Sequence, residues 1–244
     1  MTGNPTAAML VIGDEILSGR TRDSNMHYLA GELTRHNIPL AEARFIPDEA
    51  ATITAAVRTL SEAHDYVFTS GGIGPTHDDI TADAVAAAFG AHIDVRDDAR
   101  AILAAHYANR GTEMNEARLR MARIPDGATL IDNPVSAAPG FVLGNVHVMA
   151  GVPSVFQAMV ASVMPTLSGG APLLSQSVTL YMPEGEIAGP LRRLAEEFPE
   201  LSMGSYPFQR DGAFGAQIVV RGTDGPKIDA AMARLGEVLP PVAP

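Results

Sequence analysis

The chain has 244 residues, 46% of them hydrophobic, and 28 acidic against 17 basic residues leave a formal charge of −11. That apolar share supports a sizeable core and excludes dominant disorder, while the acidic balance argues against a broad basic face for nucleic acid. There are no cysteines, which excludes disulfides, thiolate metal sites and cysteine nucleophiles.

Ala8–Ile12 reads as a strand, followed by a loop and a helix from Ser24 with Met26, Leu29, Ala30 and Leu33 on one face. Leu40–Ile46 is a second strand, and Asp48 opens a helix with Ile53, Ala56, Val57 and Leu60 inward. Tyr66–Thr69 is a third strand. A glycine-rich loop then enters a helix over Ile80–Phe89, closed by Gly90. Asp97–Asn109 and Asn115–Arg123 read as helices, Phe141–Leu143 and Val146–Met149 as a hairpin, and a helix starts at Ser154. Such alternation predicts a mostly parallel sheet with helices on both faces, over residues 1–168.

Ser168–Pro172 marks a boundary of composition. Beyond it, residues 173–240 read as a small βαββα unit of α+β type, with Pro240–Pro244 as a loose tail. Met1–Thr6 is uncharged and Ala7–Ile12 is short for a secretory leader, while Gln157 and Pro165 interrupt the run Val155–Leu167. A soluble, cytoplasmic protein with no membrane partner is expected.

In open α/β sheets, ligands sit at the carboxyl ends of the strands. That edge collects Gly13–Gly19, Pro47–Glu49, Ser70–Asp79 and Ala150–Ser154, and so gathers glycines and acids. Ser70–Asp79 is the richest, with Gly71, Gly72, Gly74, Pro75, Thr76, Asp78 and Asp79. Glycine amides before a helix suit a phosphate, yet the loop matches neither the nucleotide P-loop nor the dinucleotide fingerprint. Asp78 and Asp79 would repel phosphate unless a divalent cation bridged the two. Glycines and acids together therefore point to a metal-bridged phosphate or diphosphate.

Simpler roles stand beside these. Asp79 or Thr81 serves equally as a helix cap, and Asp48 reads with equal weight as cap or functional carboxylate. Asp14 and Glu15 are turn residues or a loop with a chemical task. His77 touches the ligand or, as expected first, holds a surface position. Asn133–Phe141, which contains Gly140, is a turn before the hairpin or a wall of the cleft. Arg118, Arg120 and Arg123 ride on a helix, exposed to solvent or supplying positive charge to an anionic ligand, with solvent expected for most of them.

The ordered set Gly13–Gly19, Ser24-Asn25, Pro47–Glu49, Gly71–Thr81, Asn133-Pro134, Ala138–Phe141 and Gly151–Pro153 resembles the molybdopterin-binding (MoaB/Mog-like) domain. Within it, the set looks like the competence/damage-inducible protein A (CinA) family. It is also similar to the N-terminal domain of eukaryotic FAD synthases, with Gly204–Pro207 matching further on. The resemblance implies a three-layer α/β/α core that forms homo-oligomers. In molybdenum-cofactor members the positions matching Asp48 and Asp79 serve catalysis, and the loop matching Ser70–Gly74 holds the pterin phosphate. The CinA-like branch is associated with metal-dependent cleavage of ADP-ribose-type diphosphates, and the FAD-synthase branch with FAD hydrolysis. Asp78 stands where molybdenum-insertion proteins commonly carry arginine, which favours the metal-diphosphate chemistry. Neither an amidase nor an adenylyltransferase domain is found before Pro244, so neither activity is expected.

The resulting expectation is a pyrophosphatase using Mg, Mn or Co on a nucleotide diphosphate such as ADP-ribose or FAD. Asp14, Glu15, Asp78 and Asp79 would hold the metal, and Asp48 and Asp79 would serve catalysis. Ser70, Gly71, Gly72, Gly74, Pro75, Thr76, Asn133, Gly140 and Gly151 would hold the ligand. The alternative is a module that binds molybdopterin or a nucleotide without turnover. A third role, structure or interaction alone, applies to residues 173–240.

Overall fold

Ala7–Ile12 forms β1, and all six of its residues are buried. In the computed structural model, which describes residues 4–210 and 213–239, the chain divides into two units, Met1–Gly170 and Ala171–Pro244. The tail expected at Pro240–Pro244 lies outside the described residues. Among the described residues, no helix is long and apolar enough to cross a membrane.

From β1 the chain runs through a single turn, α1 (Asp14–Leu17), to α2 (Asn25–Arg35), β2 (Leu40–Ile46), α3 (Ala50–Ala63), β3 (Tyr66–Ser70) and α4 (Thr81–Phe89). Then come β4 (Ile93–Val95), α5 (Asp97–Asn109), α6 (Glu116–Arg120), β5 (Arg123–Pro125) and β6 (Thr129–Ile131). The hairpin β7 (Gly140–Leu143) and β8 (Val146–Met149) precedes α7 (Pro153–Val163).

The strand order of the main sheet is β2-β1-β3-β8-β7-β6. β2, β1, β3 and β8 are parallel, whereas β7 and β6 run antiparallel at one edge. Side chains of β1 alternate between two cores. Ala8, Leu10 and Ile12 join Ile53, Val57 and Leu60 of α3 and Leu103 of α5. Ala7, Met9 and Val11 join Leu29 and Leu33 of α2 and Phe156 and Val160 of α7. A strand apolar at every position is what burial on both faces requires. The result is three layers, as expected.

β1 lies between β2 and β3: the connection out of β1 leads to β2 on one side, and the chain beyond β3 continues to β8, β7 and β6 on the other. The carboxyl ends of β1 and β3 therefore border the crevice where ligands sit in such sheets.

The structure departs from the sequence reading in short elements. The helix expected over Asn115–Arg123 stops at Arg120, and Arg123 belongs to β5, which pairs with β4. Pro125 supplies a reason, because proline disfavours helix just before it. β6 is only three residues long, too short to leave a period-two signature, and pairing with β7 defines it. No side chain caps α3 or α4. Asp48, Asp79 and Thr81 are therefore free of the capping role.

In the second unit, β9 (Leu174–Leu180), α8 (Glu184–Glu197), β10 (Ser202–Arg210), β11 (Ala213–Gly222) and α9 (Gly225–Val238) follow in order. The sheet is antiparallel in the order β10-β11-β9. Leu180, Ile187, Leu194, Ile218 and Leu235 form its core. Asp224 caps α9 by accepting the Lys227 N–H at 3.1 Å.

Candidate functional site

Ser70 ends β3 beside Val11 of β1. Gly71 then turns at φ +110°, where a Cβ would stand 2.2 Å from the Ile12 carbonyl oxygen. Gly72 follows at φ +69°, where a Cβ would stand 2.1 Å from Thr81 Oγ1. Only glycine allows this backbone to pass between β1 and α4. The Gly72 carbonyl accepts the Thr81 N–H at 2.9 Å and ties the loop to α4. Among the described residues, no hydrogen bond uses the N–H groups of Gly72, Ile73 or Gly74. All three residues line a cleft of about 580 Å³. Unsatisfied amides beside a cleft make an anion cradle.

The acids converge on the same cleft. Glu15, Asp48, Asp78 and Asp79 line it, and the Asp14 N–H donates to Asp48 Oδ2 at 3.0 Å. Partial burial raises the Asp48 carboxyl above its ordinary range, and the nearby charges of Asp14, Glu15 and Asp78 push the same way against that N–H bond. A carboxyl so placed holds a proton more readily than an exposed one, as suits a group that accepts protons. Asp79 is held differently. Its Oδ2 accepts the Thr76 N–H at 2.8 Å and the Thr76 hydroxyl at 2.6 Å. Thr76 thus positions Asp79, while Pro75 and Gly151 line the cleft directly.

Among the described residues, no three Asp, Glu or His side chains are gathered closely enough to cage a metal ion. Asp14, Glu15, Asp78 and Asp79 are therefore not a preformed set of four ligands. They fit a looser mode, in which one or two carboxylates share a cation with phosphate oxygens and water. The unused N–H groups beside Asp79 in the same loop suit the phosphate of such an arrangement.

Of the expected ligand residues, Ser70, Thr76 and Gly140 do not line the cleft. Gly140 is buried in β7, where a Cβ would stand 2.3 Å from the Val148 carbonyl oxygen, and it does not line the cleft. Glycine there permits a close strand contact. Asn133 lines the cleft, but its amide closes its own loop. Nδ2 donates to Ser136 Oγ at 2.7 Å and the Ala138 carbonyl at 2.8 Å. Oδ1 accepts the N–H groups of Val135 and Ser136, both at 3.1 Å. Asn133 shapes the wall.

The arginines are also engaged. Arg123 grips Asp83 through two bonds of 2.6 and 2.7 Å, and Arg118 lies 4.6 Å over the Tyr107 ring. Arg120 reaches the Asp79 carbonyl at 3.4 Å, with its Nε buried and unpartnered. All three are half-buried, through contacts that a linear pattern does not show.

Sequence reasoning assigned no role to Asn25, which is only 3% exposed at the start of α2. Its Nδ2 donates to Ser70 Oγ at 2.8 Å and to the Gly151 carbonyl at 2.7 Å. One side chain therefore ties the glycine loop to the loop after β8. An amide residue opening an otherwise apolar helix face was the available signal.

Comparison with known proteins matches residues 8–169 to the family described as a probable molybdopterin binding domain, and residues 172–243 to the middle domain of FAD synthase. A probable FAD synthase of Caenorhabditis elegans is 30% identical over 98% of this chain and 51% of its own length. A CinA-like protein of Citrifermentans bemidjiense is 37% identical over 72% of this chain and 44% of its own. This chain therefore spans about half the length of either relative. The CinA protein of Thermoplasma acidophilum, a solved structure, has 33% identity and a TM-score of 0.61, covering 66% of this chain and 98% of that one.

Proposed function

We propose, for a chain that belongs to the family of probable molybdopterin binding domains, that it hydrolyses the anhydride of a nucleotide diphosphate such as ADP-ribose or FAD with a divalent cation. The observation that carries this reading is the meeting of unsatisfied glycine-loop amides and four acids around one cleft. Similarity to a protein called a probable FAD synthase supports a nucleotide of that class.

The amides of Gly72, Ile73 and Gly74 would hold the phosphate that does not react. Asp48, with its raised affinity for a proton, would orient a water molecule and accept its proton. Thr76 would hold the Asp79 carboxylate in place beside Gly74. Asp78 and Asp79 would hold the cation, sharing it with phosphate oxygens and water. Bound there, Mg, Mn or Co would supply charge neutralisation at the phosphoryl oxygens and acidify water.

Purified protein incubated with ADP-ribose, FAD or CoA and each metal is expected to release an adenine mononucleotide. Asp79→Asn is expected to lose at least about a hundredfold in turnover, with an unchanged circular dichroism spectrum. Near-full activity in that variant rejects the assignment. The family match also favours a second reading, a pterin- or nucleotide-binding module without turnover. Saturable pterin binding with no product from any nucleotide would select it.

A further inference from the structure

Beside the main cleft lies a smaller pocket of about 60 Å³, which shares Glu15, Thr21, Gly151 and Pro153 with it. Asn25 and Ser70 complete its polar wall. A peptide carbonyl can only accept, so the Gly151 oxygen requires the nitrogen of the Asn25 amide to face it. Both hydrogens of Nδ2 are then engaged, by Gly151 and by Ser70 Oγ. Asn25 Oδ1 remains buried without a partner.

The wall of the pocket thus holds, among the described residues, a buried acceptor without a partner, Asn25 Oδ1, next to a hydroxyl with a proton to give. Ser70 Oγ receives the Asn25 hydrogen and keeps its own hydroxyl proton to give. A ligand hydroxyl answers both atoms, since it donates and accepts at once. A phosphate oxygen only accepts and would meet Glu15 and Asp23, while an ammonium only donates. Asp23 already uses its carboxylate on the N–H groups of Asn25 and Met26, at 3.2 and 3.1 Å. Arg22, the one cation in the lining, is exposed. The volume has room for a few oxygen-sized groups.

We propose that this pocket is a hydroxyl-recognition subsite, which takes the vicinal diol of a ribose whose diphosphate lies over the glycine loop. The inference rests on the nucleotide reading above and names the part of the nucleotide that the protein recognises. Asn25 supplies specificity here through Oδ1 and positions Ser70 and Gly151 through Nδ2.

The test is calorimetric titration, with magnesium, of α,β-methylene-ADP and of its 2′,3′-dideoxy counterpart, neither of which can be cleaved at the bridge. The intact protein is expected to bind the diol-bearing analogue about tenfold more tightly. In Asn25→Ala the two analogues are expected to bind alike. Equal binding to the intact protein, a comparison that needs no variant, overturns the subsite and leaves the nucleotide reading standing. An Asn25→Ala protein that weakens both analogues equally and keeps their ratio also overturns it, because Asn25 is then only structural. Failure of both analogues to bind the intact protein overturns the subsite and the nucleotide reading together.

Discussion

The glycine half of one loop, Ser70–Gly74, and the loop Asn133–Ala138 border one cleft and share a turn-rich composition, yet they use their hydrogen bonds in opposite ways. In the second, the four bonds of the Asn133 amide fold the loop upon itself. In the first, Gly72, Ile73 and Gly74 leave their amides open, and the loop is held from outside by Thr81, by Asn25 acting on Ser70, and by the Met149 carbonyl. A loop that satisfies itself is a wall. One held by its neighbours can present its own donors to a ligand.

The sharpest way to break that contrast is at the acid facing the open loop. Asp48→Asn is expected to reduce turnover about a hundredfold to ten-thousandfold, measured as mononucleotide release. The same change should raise the unfolding midpoint at pH 7. Burial lifts the folded-state pKa of Asp48 above its unfolded value, so its ionisation costs stability as pH climbs from the ordinary carboxylate range through the raised value. Asparagine carries no such charge and can still accept the Asp14 N–H. A lower midpoint for Asp48→Asn would show the charge to be stabilising.

A smaller effect is expected from Gly72→Ala. The positive φ strains alanine by about 1–3 kcal/mol, and the new Cβ must displace Thr81 Oγ1, 2.1 Å away. Titration with α,β-methylene-ADP should show at least about tenfold weaker binding, with the second unit unaffected. Unchanged affinity would show that the glycine loop does not hold the ligand phosphate. Smallest for ligand binding is Asn133→Ala. Stability should fall by about 1–3 kcal/mol in denaturant titration, while affinity shifts by less than about threefold. A large loss of affinity without a stability change would make Asn133 a ligand contact after all.

Much of this was legible in the chain itself. Six apolar residues in β1 announce burial on both faces, and the periodicity of α3 locates its buried stripe. The acids and glycines stand at strand ends, which brings them to one edge once the sheet is known. β4, β5 and β6, three residues each, carried no periodic signal. The place of Gly140 depends on a carbonyl in a neighbouring strand. Asn25 stands in the ordered motif set, but its partners, Ser70 and Gly151, are 45 and 126 residues away.

By itself, then, the sequence determined the layers, the sheet and the edge where ligands sit, because hydrophobic period and turn chemistry are local properties. Only the tertiary structure decided which polar groups remain unsatisfied. The amides of the glycine loop, the proton affinity of Asp48 and the orphaned oxygen of Asn25 all depend on partners distant in the chain. Whether a donor is open or engaged is a property of the packed neighbourhood, and no linear pattern carries it.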